Sequence, residues 1–163
     1  ELEVGLGDPT GPTFTPLPAD GAAMLYPGPQ GGYHVYLQVR ARGLCPNRVV
    51  YERRIREPGG AEDLWYQIMK TPFVADEELD DTWVLSRSDT TFVCPANESG
   101  VATHGRDLDL EVTLTEELVP CDLQAGLEDA PRTLSRTITI HPTCADTDTV
   151  CQQSTDIGCA APP

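Results

Sequence analysis

The chain has 163 residues, enough for one domain with a full core. Its 26 acidic residues against 11 basic ones leave a net charge of -15, a surface that repels phosphate backbones and anionic headgroups, so no nucleic-acid partner is expected. No apolar run is long enough to cross a bilayer as a helix, so no transmembrane segment is expected in this chain.

The sequence opens on Glu1 without a basic segment followed by an apolar run, and the expectation is a mature or trimmed chain whose export signal is gone. Glu1–Gly7 alternates, with Leu2, Val4 and Leu6 on one side, and reads as a terminal strand (1–7). Residues 8–18 are rich in Pro and Gly and read as a linker. Phe14–Leu17 and Ala22–Tyr26 read as short edge strands, since proline cannot donate to a ladder.

The longest strand signal is Gly31–Gly43, where Tyr33, Val35, Leu37, Val39 and Ala41 share a face expected on a core and His34, Tyr36, Gln38, Arg40 and Arg42 a face expected toward water. Strands are then expected over 48–56, with Val49, Tyr51 and Ile55 on one face, and over 64–69, 82–86 and 90–94. The acidic stretch Ala75–Asp81 between them reads as a solvated loop or helical turn. Asp107–Thr115 has an aliphatic residue at every even position, which pins its register, because a slip of one residue would bury Asp109 and Glu111. A long connection over 116–131 leads to a last strand over 133–140.

About eight short strands without a sustained helical period predict an all-β fold, an immunoglobulin-like antiparallel sandwich over 8–142 with the linker included. A cysteine-rich tail follows over 143–163. Its polar composition buries too little to offset chain entropy, so cross-links are what would order it.

The six cysteines are Cys45, Cys94, Cys121, Cys144, Cys151 and Cys159. None forms a C-x-x-C pair, so disulfides in an oxidising compartment fit better than a zinc framework. Six cysteines permit fifteen pairings, among which Cys45 with Cys94 and Cys151 with Cys159 are preferred here.

The run Gly28-Pro29-Gln30-Gly31-Gly32-Tyr33-His34, continued by Arg40-Ala41-Arg42-Gly43-Leu44, resembles a pattern of secreted or lipid-anchored Ig-like proteins of myxobacteria and related bacteria. The likeness covers Glu1 to about Ile140, is specific around Gly28–Leu44 and leaves out the tail. It implies an exported β-sandwich at a bacterial surface. It implies no reaction and carries over no catalytic residue.

Candidate chemistry is sparse. Serines occur in no G-x-S-x-G setting, so no enzyme is expected. His34 and His141, with His104, would bind copper or zinc if the fold brought them to one end of the sandwich, although the cupredoxin loop pattern is absent. Asp146, Asp148 and Asp156, or Asp76–Asp81, offer oxygen ligands to calcium without EF-hand spacing. Surface residues such as Tyr36 and Arg40 are candidates to contact a surface protein or a carbohydrate. The reading that emerges is a non-enzymatic extracellular or cell-surface protein, structural or binding, that assembles with itself by N-terminal strand exchange through Leu2, Val4 and Leu6. The alternative is a secreted metal-binding Ig-like domain.

Overall fold

A strand with one apolar face needs a second layer to cover it, and this chain supplies two sheets. The computed structural model describes residues 1–28, 32–46, 49–94, 103–117 and 131–156. The first sheet contains β1 (Leu2–Asp8), β2 (Gly11–Pro16), β4 (Tyr26–Pro27), β5 (Tyr33–Arg42), β8 (Phe73–Ala75), β9 (Thr82–Leu85) and β10 (Asp89–Cys94). The second contains β3 (Ala22–Met24), β6 (Val49–Arg56), β7 (Asp63–Thr71), β11 (Leu108–Glu116) and β12 (Thr133–Thr143). A helix, α1 (Thr149–Asp156), follows.

The strand order is β2-β1-β5-β9-β8 in the first sheet, with β4 and β10 also on β5, and β3-β12-β11-β6-β7 in the second. Pairing is antiparallel except for the short β3–β12 pair. Between the sheets lies one apolar core, in which Val35, Leu37 and Val39 of β5 meet Tyr51 and Ile55 of β6 and Leu110, Val112 and Leu114 of β11 in one cluster. The expected all-β, two-sheet antiparallel architecture is present.

Strand β5 has β1 and β4 along one edge and β9 and β10 along the other. The second edge has a gap, because β10 pairs as far as Leu37 and β9 starts at Arg40. Gln38 fills it: its Nε2 donates to Leu85 O at 3.3 Å, and its Oε1 accepts the Val39 N–H at 2.9 Å. A side chain thus supplies the ladder bonds that a strand would otherwise make.

Residues 11–16 of the expected linker form a strand, β2. The chain turns at Asp8–Gly11, where the Asp8 carboxylate accepts the Thr10 N–H at 2.7 Å, and returns as β2 beside β1. Prolines 12 and 16 are tolerated because β2 is the outermost strand of its sheet. The stretch 22–26 also differs from a single edge strand: β3 joins the second sheet and β4 the first, so the chain changes layers between them.

The tail begins inside the core. Cys144 and Cys151 form a disulfide and both belong to the central apolar cluster. Cys151 is therefore not bonded to Cys159. Asp148 caps α1, accepting the Cys151 N–H at 2.9 Å. Cys45 is also disulfide-bonded. Cys121, Cys159 and the side chain of Cys94 lie outside the described residues, as do most of the 116–131 connection and the Pro29–Gly31 part of the glycine-rich run.

Candidate functional site

The first strand is the element singled out for assembly, and its surroundings are specific. Strand β1 lies in its own sheet, paired from Leu2↔Ala41 to Leu6↔Leu37 with β5. Leu2 and Val4 are buried in the core and Leu6 packs against it. The terminal amine of Glu1 donates to Arg42 O at 3.0 Å, and the Arg42 N–H returns to Glu1 O at 2.9 Å. From the second sheet, Arg136 Nη1 donates to Leu2 O at 3.0 Å.

Two glycines let neighbours press onto the outer side of β1. A Cβ on Gly5 would stand 2.8 Å from the Phe14 ring, and one on Gly7 would overlap Ser88 Oγ. Phe14 therefore lies across the outer face and stacks on the Arg40 guanidinium, 4.3 Å from ring centre to Cζ. Ser88 Oγ donates to Gly11 O at 3.2 Å and ties the hairpin turn to the chain entering β10.

Beyond the hairpin, residues 17–20 lead to Gly21, with Leu17 packed against the core and the Pro18 carbonyl accepting the Gly21 N–H at 2.9 Å. Gly21 sits at φ +73, where a Cβ would lie 2.8 Å from Thr139 O. Its carbonyl accepts the His141 N–H at 2.7 Å. The β1–β2 hairpin is thus a unit joined to the body by four residues.

Arg40 is not a free recognition group. Its Nε meets Asp76 at 2.5 Å and its Nη2 meets Glu78 at 2.9 Å. Asp76 Oδ1 in turn accepts the N–H groups of Glu78 and Leu79, so this carboxylate folds the acidic stretch 76–81 against β5. Further along the outer face, Tyr36 meets His34 edge-on at 4.9 Å and Tyr26 at 5.0 Å. His34 is buried, and burial pushes its pKa below the usual histidine value. Tyr26 and Met24 remain exposed.

The three histidines do not converge. His34 projects from the outer face of the first sheet, opposite the core-facing Tyr33 and Val35, whereas His141 alternates with buried Ile140 and Pro142 and projects from the outer face of the second. The core separates them. His141 Nδ1 pairs with Asp107 Oδ1 at 2.9 Å, and His104 Nδ1 accepts the Cys144 N–H at 3.2 Å. Among the described residues no group of three or more His, Cys, Asp or Glu side chains is placed to hold a metal ion.

Alternation alone places Arg53 inward between Tyr51 and Ile55, and the apolar pattern read from β6 passed over it because of its charge. It is fully buried. Its guanidinium lies between the rings of Tyr51 (4.7 Å) and Trp65 (5.0 Å) and donates to Thr91 Oγ1 at 2.8 Å and to Gln67 Oε1. Its ion-pair partner is Asp89, at the head of β10 in the opposite sheet. Burial lowers its pKa from the ordinary arginine value.

No family model, no curated protein and no solved structure matches the chain.

Proposed function

We propose that this chain is an exported, non-enzymatic Ig-like β-sandwich that serves as a structural or binding component at a bacterial surface, and that it assembles into a filament by donating its β1–β2 hairpin to a neighbour. The observation that carries the reading is the hairpin itself. It fills an edge of β5 with Leu2 and Val4 and hangs on the short segment 17–20. Every contact it makes within its own chain would be made equally well on another copy, so exchange costs little beyond association.

The exchanged unit is the hairpin rather than the terminal strand alone, because β2 is zipped to β1. Four residues span at most about 14 Å when extended, so acceptor and donor edges would abut closely. Head-to-tail transfer of this kind yields a fibre when the rotation between neighbours does not close a ring. The Cys144–Cys151 disulfide supports an oxidising compartment, and the resemblance around Gly28–Leu44 supports the bacterial surface.

The test is a chain lacking residues 1–16, with the hairpin supplied as a synthetic peptide. A polymer subunit gives monomers that take up one peptide per chain and no longer elongate. If the shortened chain still polymerises, or the intact chain never does, the exchange reading fails.

A further inference from the structure

The second sheet ends on β7, nine residues long, and among the described residues no strand pairs with its outer edge. Long unpaired edges are ordinarily blunted by charge or proline. Here the outer side carries exposed Tyr66 (45 %) and Ile68 (53 %) between Asp63 and Lys70. A register shift opposite Ile55/Arg56 makes Leu64 the extra residue of a bulge, packed toward the core, and turns Asp63 onto the outer side with Arg56.

We infer that β7 docks antiparallel onto β7 of a second copy, about a dyad at Gln67, and joins two five-stranded sheets into one. In that register Tyr66 of each copy stands opposite Ile68 of the other, an aromatic–aliphatic cross-strand pair made twice. One step further out, the bulge brings Asp63 beside Lys70 of the other copy, again twice. The register sets opposite charges against each other: Asp63, which pairs with Arg54 and Arg56 in its own chain, and Lys70, the chain's one lysine. Its present partner, Glu117, forms an exposed pair that exchanges at little cost. The contact is independent of the hairpin and would link chains or filaments side by side.

The experiment mixes isotopically light and heavy full-length oxidised chains and treats them with a zero-length carbodiimide cross-linker. The expected product is a mixed Lys70–Asp63 peptide, lost in Ile68→Lys, a variant that retains the wild-type far-UV spectrum and gives particles of correspondingly lower mass. Cross-links confined to Lys70–Glu117 within one chain would overturn the inference. So would an Ile68→Lys variant that yields the mixed peptide as efficiently as the native chain. The readout is specific to β7, so its failure is distinct from a failure of hairpin exchange.

Discussion

Arg53 of β6 reaches through the core to Asp89 of β10, so an ion pair bridges the two sheets where apolar packing would be expected. The guanidinium is fully buried and the carboxylate nearly so, which makes the cost of losing one partner much larger than the net worth of the pair. Asp89→Ala leaves a buried cation and is expected to cost about 3–5 kcal/mol. Arg53→Met combined with Asp89→Leu should recover most of that loss. Denaturant unfolding of the two variants checks the order; a double variant less stable than Asp89→Ala would contradict it.

Gln38 predicts a local effect. Its side chain supplies both bonds at the break between β9 and β10. Gln38→Leu keeps the bulk but orphans the Val39 N–H and the Leu85 carbonyl, a cost of about 1–3 kcal/mol. Hydrogen exchange at Val39 should accelerate well beyond that of its neighbours, and uniform protection along β5 would refute the assignment.

Tyr51 gives a pH signature. Burial pushes its hydroxyl up to about 12, with Arg53 partly offsetting the shift. The unfolded chain loses this proton near pH 10, so it gains by ionising between 10 and 12 while the folded chain does not. Stability is present below pH 10 and falls as pH rises toward 12, by up to about 3 kcal/mol. A phenolate absorbance titration should show a tyrosine step near pH 12, and Tyr51→Phe should remove it.

Much of this fold is legible from alternation. Tyr33–Ala41 and Asp107–Thr115 carry period-two patterns and both are strands with the expected apolar residues in the core; on β5 the polar face is covered too, since His34 and Gln38 are buried. What the pattern conceals has physical causes. Strand β2 reads as linker because its prolines suit an edge as well as a loop. Arg53 is hidden because a charged residue enters a core only when its partners, here on β7 and β10, arrive from distant sequence. The Cys144–Cys151 bond joins residues whose polar surroundings give no sign of the core beneath them. Among the candidate sites, the buried side of β1 is visible in Leu2 and Val4, whereas Phe14, Gly5 and the hinge at 17–20 depend on the hairpin being formed.

Gly5 tests that hairpin. A Cβ there would press on Thr15 O and the Phe14 ring, so Gly5→Ala must displace β2 or its aromatic cover, at about 1–3 kcal/mol. The penalty falls on the docked hairpin wherever it docks, so both chain stability and filament length should drop. A variant with native stability and native assembly would mean that the hairpin is not held as described.

The most direct test of the account is the native particle mass, measured by light scattering on material isolated without denaturant. Hairpin exchange predicts elongated particles many times the 17.7 kDa of one chain, which shorten when free hairpin peptide is added. Particles of one or two chains at every concentration, indifferent to the peptide, would contradict it.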